Sequence, residues 1–300
     1  MADELRATYE VGRRIEVRAP WPGGDEPYAP LLAYHCRPGE RPYLHPLHGP
    51  GGGPVLTQDR PTDHPWQHGV FTGLHEVNGL DFWHEHRKPL PERGVIRLER
   101  IADLQSDGAS VSWRAISQWS NARGERQLTE TQAWAVRGGD AWYYKLDLLW
   151  TLRGAGEVAI GRYDYGGLAV RPLTHPQREH LNAEGLAGAA TSEASSPWCD
   201  VSAPYDGSRA WTGEDKLAGS WYGIALFDHP QNPTYPTPWR VDGHGLINPC
   251  PSLAGDWSIG TGEEVSFVYR LIVHAGRADP DLLARLHEEF AEEAVLATEY

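Results

Sequence analysis

Apolar and polar residues alternate over long stretches of this chain, the period of a β-strand with one buried face. After an Asp107-Gly108 turn, Ala109 to Ser117 reads as a strand. Gln127 to Arg137 reads as another, with Leu128, Glu130, Gln132, Trp134 and Val136 on one face. Ala141 to Leu152 alternates again, grouping Trp142, Tyr144, Leu146, Leu148, Trp150 and Leu152, and the intervening Gly138-Gly139 predicts a hairpin. Glu264 to His274 places Val265, Phe267, Tyr269, Leu271 and Val273 on one side, Arg270 and His274 on the other. Val70 to Val77 is expected to turn Phe71, Gly73, His75 and Val77 to a common face. Helical periodicity is clear only near the end. There Asp279 is a natural N-cap, Pro280 suits the first turn, and Leu282, Leu283, Leu286 and Phe290 form an apolar stripe. These patterns predict an all-β fold: one large antiparallel β-sandwich over residues 1–300, covered by a C-terminal α-helix at about 279–296.

Composition narrows the function classes. The net charge of −14 comes with no basic stripe, which argues against nucleic acid and anionic membrane as partners. The N-terminal residues lack the pattern of a secretion signal, and no run approaches the roughly eighteen apolar residues of a membrane span, so a soluble, cytoplasmic protein is expected. Cys36, Cys199 and Cys250 are scattered with no CxxC spacing, which fits a reducing compartment better than a disulfide framework or zinc ribbon. No glycine fingerprint follows a strand, so no nucleotide cofactor is expected. Thirteen tryptophans and thirteen tyrosines against five phenylalanines supply flat rings with polar handles, suited to a half-wet cleft and to sugar rings, although most should fill the core.

The candidate chemistry is concentrated early in the chain. Eight of the fourteen histidines fall between His35 and His86 among stiff Gly/Pro-rich loops. In Asp63-His64-Pro65-Trp66-Gln67-His68-Gly69, the proline stiffens the loop and the glycine turns it into the following strand. His64, His68 and His75 are thereby expected to meet, either holding a divalent metal with a carboxylate or acting without metal as acid and base. The spacing matches no standard metal motif. One of His45 and His48 is expected to join the cleft as a substrate-binding residue, while His84 and His86, beside Glu85 and Arg87, read as a solvated charged loop. Glu130, a carboxylate on an apolar face, is either a general base or an ion-pair partner of an arginine.

Several segments together resemble the PmoA-like family of bacterial proteins. They are Arg41 to Pro50, Asp63 to Gly69, Val77 to Trp83, Tyr165 to Arg171, Phe227 to Pro233 with Pro236 to Trp239, and Tyr269 to His274. The family's customary name, methane oxygenase, implies a membrane-bound copper enzyme that this chain does not resemble. The resemblance, covering roughly residues 35–275, implies instead a supersandwich of the galactose-mutarotase type and carbohydrate chemistry beside a sugar oxidoreductase acting upstream. It also implies two adjacent histidines and an arginine after Asp-His-Pro, where this chain has Trp66-Gln67-His68-Gly69.

The expected function is a carbohydrate-active enzyme moving protons on a sugar or oxidised glycoside, by epimerisation or elimination. His64, His68, His75, Glu130 and His229 are the catalytic candidates. Asp63, Arg171, Asp228 and Asn232 are expected to orient hydroxyls and Trp239 to stack on the ring, with the Asp228-His229-Pro230 loop facing the Asp63-His64-Pro65 loop across a cleft. Alternatives are a glycoside hydrolase using Glu130 and Asp228 as paired carboxylates, and a non-catalytic sugar-binding module.

Overall fold

The alternating segments pair into long antiparallel ladders in the computed structural model, which describes residues 4–21, 26–85, 87, 89–138, 142–205 and 221–293. The first strands are β1 (Arg6–Glu10), β2 (Arg14–Pro20), β3 (Tyr28–His35), β4 (Tyr43–Leu47), β5 (Val70–Leu74), β6 (Val95–Ser106), β7 (Ser110–Ser120), β8 (Arg126–Gly138) and β9 (Tyr143–Gly154). There follow β10 (Val158–Ile160), β11 (Gly166–Val170), β12 (Glu179–Asn182), β13 (Trp198–Ala203), β14 (Tyr222–Asp228), β15 (Trp239–Val241), β16 (Ile247–Pro249), β17 (Trp257–Ile259) and β18 (Glu264–Ala275). A short helix, α1 (Pro251–Ala254), precedes β17, and α2 (Pro280–Glu292) follows β18.

Two eight-stranded sheets result. The first runs β1-β2-β3-β4-β5-β11-β16-β15 and the second β12-β13-β14-β18-β9-β8-β7-β6, with β10 and β17 pairing separately. The expected all-β sandwich is therefore observed. The β8–β9 ladder runs from Leu128↔Gly154 to Gly138↔Tyr144, as the hairpin pattern predicts. Residues 139–141, including the Gly139 step and Ala141, lie outside the described residues.

The two-residue period sorts each strand into an inner and an outer face. Tyr34, Leu44, Val70, Leu74, Leu168 and Val170 of the first sheet meet Trp113, Trp134, Leu148, Trp150 and Tyr269 of the second in the main core. Each such side chain, fully removed from water, contributes about 1.5–3 kcal/mol or more.

On the outer face of the second sheet, Leu283, Leu286 and Phe290 of α2 cover Leu149, Phe227, Val268 and Ile272. Asp279 caps this helix, its carboxylate accepting from the Asp281 and Leu282 N–H groups at 3.1 Å. The described helix ends at Glu292, and residues 294–296 of the expected helix lie outside the described residues. Beneath its end, the buried Arg270 guanidinium donates to Asp147 at 2.5 Å and to Glu293 at 2.6 Å.

The outer face of the first sheet carries a separate cluster, in which Trp66, Trp83 and Leu246 cover Tyr43, Phe71 and Ala169. One strand boundary differs from expectation. β5 stops at Leu74, and Glu76 adopts φ +55°. That turn rotates Val77 into the inter-sheet core, leaving only Phe71, Gly73 and His75 directed outward. No helix among the described residues is long and apolar enough to cross a membrane.

Candidate functional site

Strands β4, β5 and β11 form the floor of the candidate site. They send Tyr43 and His45, Phe71 and then His75, and Ala169 and then Arg171 to the outer face. Two loops fold over that floor. Loop 60–67 closes on itself through Arg60 N–H to the Gln67 carbonyl at 2.9 Å, with tight turns at Pro61–His64 and His64–Gln67. Gly69 then passes so close to the Leu44 carbonyl that a Cβ there would collide with it. Loop 80–93 is pinned by the bridge between Asp81 and Arg93, and by Arg41, whose guanidinium donates to the carbonyls of Phe82 and Trp83.

The loops assemble three polar groups. In the first, Asp63 Oδ2 accepts from His64 Nδ1 at 2.9 Å and from Arg171 Nη2 at 3.0 Å, and lies 2.9 Å from His244 Nδ1. The two imidazole centroids are 4.8 Å apart. Partial burial works to raise the Asp63 carboxyl, but the His64 hydrogen bond and Arg171 charge outweigh it and bring the group down to about 2. Arg171 is itself buried and spends its other donors on the protein: Nη1 reaches Gln67 Oε1 at 2.9 Å, and Gln58, with its amide oxygen turned inward, accepts from Nε at 3.0 Å. His244 arrives from the loop between β15 and β16, which Arg178 grips through the carbonyls of Gly243 and His244.

In the second group, Asp81 Oδ2 lies 2.7 Å from His84 Nδ1 and 3.2 Å from His75 Nε2. Its other oxygen accepts the N–H groups of Trp83 and His84 at 2.9 and 3.0 Å. Burial opposes ionisation of Asp81, but these hydrogen bonds hold the carboxyl far below the usual carboxylate range. His75 stacks on Tyr163 at 3.7 Å, and His84 Nε2 meets the Tyr165 hydroxyl at 3.2 Å. Burial pushes the Tyr165 phenol up, so it remains protonated. Trp66 stands edge-on between the first and second groups, 5.1 Å from His64 and 4.8 Å from His84.

In the third, His68 is clamped between two carboxylates, Nδ1 at 2.6 Å from Asp59 and Nε2 at 3.0 Å from Glu85, under the Tyr43 ring. Arg41 Nε stands 3.4 Å from the other Glu85 oxygen.

Several sequence expectations are corrected by this arrangement. His64, His68 and His75 do not converge as one ligand set; each joins a different carboxylate, with Trp66 of the first loop standing between the His64 and His84 groups and His68 stacked on Tyr43 of β4. His68 has no exposed surface and both nitrogens are occupied, so it braces the two loops. His84 is buried against Asp81 rather than solvated, while His86 lies outside the described residues. His45 joins the floor, Nδ1 at 3.1 Å from Thr57 Oγ1, and burial lowers it to about 4. His48 sits at the far end of β4 and has no carboxylate partner among the described residues. Arg171 positions Asp63 and offers nothing to a hydroxyl.

Glu130 faces the inter-sheet core, where it accepts from Thr72, Trp119, Gln132 and Trp150 and meets no arginine among the described residues. His229 lies on the far side of the second sheet beneath α2, whereas the Asp228 carboxylate faces inward like its ladder partner Tyr269 and is bound by Asn232 and the Thr237 N–H. His229 packs edge-on to Phe290 at 4.8 Å, and Asn232 ties Asp228 to the Val268 backbone. The two Asp-His-Pro loops therefore do not face each other, and Glu130 and Asp228 do not form a hydrolase pair. Trp239 is wholly buried, its indole N–H donating to the Ser196 carbonyl at 2.8 Å, so it cannot stack on a sugar.

Burial raises the Asp228 carboxyl to about 6 despite hydrogen bonds from Asn232 and Thr237. A carboxyl raised on folding lends stability below its unfolded value, near 4, and that stability disappears as pH rises through about 6. The difference in unfolding free energy between wild type and Asp228→Asn should therefore fall by about 3 kcal/mol between about pH 4 and pH 7. Denaturant titrations at both pH values measure it, and a flat difference contradicts the burial argument.

Asp59, Asp81, His244, Tyr163 and Tyr165 escaped the reading of candidate residues. The Asp81-x-x-His84 spacing was a usable local signal, whereas His244 is 180 residues from His64 and had none. Residues 28–288 match a family of unknown function, DUF6807. No curated protein matches the chain.

Proposed function

Because the chain belongs to the DUF6807 family, whose function is unknown, its activity is to be read from the site, and we propose that it is an enzyme transferring protons on a sugar or oxidised glycoside. The observation that carries this reading is the Asp63–His64 dyad. Asp63 accepts from Nδ1, which leaves the Nε2 lone pair available as a base; the ring is 25% exposed and Nε2 has no hydrogen-bond partner among the described residues. A carboxylate that orients an imidazole in this way is the recurrent means of making histidine a proton acceptor near neutral pH.

His244, on the same carboxylate and half exposed, is the second proton carrier. His64 removes hydrogen from a carbon next to a carbonyl, and the C–H electron pair moves into the carbon–carbon bond as the carbonyl pair moves onto oxygen. Return of a proton to the other face gives the epimer; expulsion of the oxygen substituent on the next carbon, with a proton from His244, gives the elimination product. Tyr163 and Tyr165, half-buried at the neighbouring group, offer ring faces and hydroxyls to a polar ring. The resemblance of the sequence segments to PmoA-like proteins, with the galactose-mutarotase type of supersandwich that it implies, favours the carbohydrate class.

The test is a panel of glycosides and keto-sugars in deuterated water, followed by NMR. Wild type should place deuterium on the carbon beside the carbonyl, and His64→Ala should not. Binding of the same sugars with neither exchange nor product overturns the enzyme reading in favour of a sugar-binding module.

A further inference from the structure

We propose that His75, Asp81 and His84 form a binding site for one divalent first-row transition-metal ion. All three are buried, with one ligand atom from each lying within 4.8 Å of the others. The gaps of 2.7 and 3.2 Å around Asp81 Oδ2 compare with about 3.3 Å between neighbouring ligands of a tetrahedral ion bound at about 2.0–2.1 Å. Two imidazoles and one carboxylate suit zinc, iron, cobalt or manganese, and three protein ligands leave room for water or substrate.

The surroundings of the three ligands strengthen the assignment. A histidine ligand usually donates its remaining N–H to a carboxylate or another acceptor, which fixes ring orientation. His75 Nδ1 lies 2.9 Å from Glu76 Oε1, and His84 Nε2 lies 3.2 Å from the Tyr165 hydroxyl. The Asp81 oxygen not offered to the ion is already held by two backbone N–H groups. Asp81 is thus oriented through its other oxygen and His84 is held at its Nε2 edge, while Glu76 stands beside the His75 ring. Arg87 Nη1 comes within 3.4 Å of His84 Nε2, on the ring edge away from Nδ1, and its exposed side chain lies over Trp66.

The other grouping of similar composition, Asp63, His64 and His244, is the weaker candidate, because the Arg171 guanidinium occupies the same Asp63 oxygen and opposes a second cation there. Asp81 and His84 also line a cavity of about 240 Å³ with Arg41, Arg60, Arg93 and Glu85. Metal binding at Asp81 is independent of the proton transfer proposed for Asp63 and His64, so either can fail alone.

The test uses full-length protein dialysed against a chelator and titrated with Co²⁺ and Zn²⁺ by calorimetry, with Co²⁺ ligand-field absorption as a second readout. The expected result is one ion per chain, with affinity lowered at least about 100-fold in His75→Gln and in His84→Gln. Glu76→Gln should lower it roughly 10–100-fold through the His75 ring, and His64→Ala should leave it unchanged. Circular dichroism checks the fold of each variant. Should the histidine variants not fold, an anomalous-scattering peak in wild-type crystals grown with Zn²⁺ decides the question at Asp81. No saturable binding overturns the proposal, as does binding that survives His84→Gln and disappears in His64→Ala, or a peak located elsewhere.

Discussion

Glu130→Ala is expected to lower the free energy of unfolding by about 3–5 kcal/mol, the combined cost of a core cavity and stranded donors. The carboxylate has no exposed surface. It accepts from Thr72 Oγ1 at 2.5 Å, Trp150 Nε1 at 2.7 Å, Gln132 Nε2 at 3.1 Å and Trp119 Nε1 at 3.2 Å. Thr72 belongs to the first sheet and the other three donors to the second, so one side chain ties both layers together. Alanine leaves two indole N–H groups in a dry interior with no acceptor, and each stranded donor costs about 1–3 kcal/mol. Glu130→Gln keeps one oxygen and the volume but turns an amide NH₂ toward donors, so it should lose about half as much. Urea midpoints with an unchanged dependence on denaturant measure both. Turnover of folded Glu130→Gln should equal wild type, because nothing outside the protein reaches this carboxylate. A loss of turnover with unchanged stability would instead restore Glu130 as an acid–base group.

The same residue shows what the sequence pattern can and cannot convey. Alternation along β8 correctly grouped Glu130 with Leu128 and Trp134, since a strand has only two faces. It could not say that the opposing layer supplies Thr72, because partner identity depends on the stacking of sheets from distant parts of the chain. His75 was correctly directed outward by the same period, but Val77 was not, because a positive φ at Glu76 ends the strand and resets the faces. The charged run around His84 read as solvated because composition does not reveal that Asp81, three residues earlier, captures both the His84 ring and its backbone N–H.

The repeated Asp-His-Pro tripeptide misled for a related reason. Asp63 precedes an exposed turn in a loop laid over a sheet, whereas Asp228 ends β14 with its carboxylate buried, bound by Asn232 and the Thr237 N–H, and its carbonyl met by His287 of α2. Identical tripeptides thus acquire different chemistry from their surroundings. His244 enters the site only because its loop is delivered beside loop 60–67, and no spacing along the chain encodes that.

On a substrate found by the exchange screen, His64→Ala should lower kcat by about 10²–10⁴-fold, the usual worth of a positioned general base. Asp63→Asn should approach the same loss although it leaves His64 in place. An amide cannot supply the charge that draws the Nδ1 proton, so the imidazole is no longer held with Nε2 outward as a base. Asp63 stays ionised down to about pH 2, so the substitution removes that charge throughout the neutral range. The contribution of Asp63 to stability is present above the ordinary carboxyl value and is lost only as pH falls through about 2.

Arg171→Met acts one step further back. It frees Asp63 from its buried anchor and should reduce kcat less than Asp63→Asn, because the dyad survives while losing its fixed orientation. For all three variants kcat and kcat/KM should fall together with KM nearly constant, the pattern of an interaction made in the transition state and not in binding. A rise in KM with kcat intact would make Asp63 a substrate ligand. An unchanged kcat in His64→Ala, coupled with a large loss in His244→Ala, would transfer the base to the other imidazole on the same carboxylate. Arg171 would hold its place under either assignment, because it secures the one oxygen that both rings share.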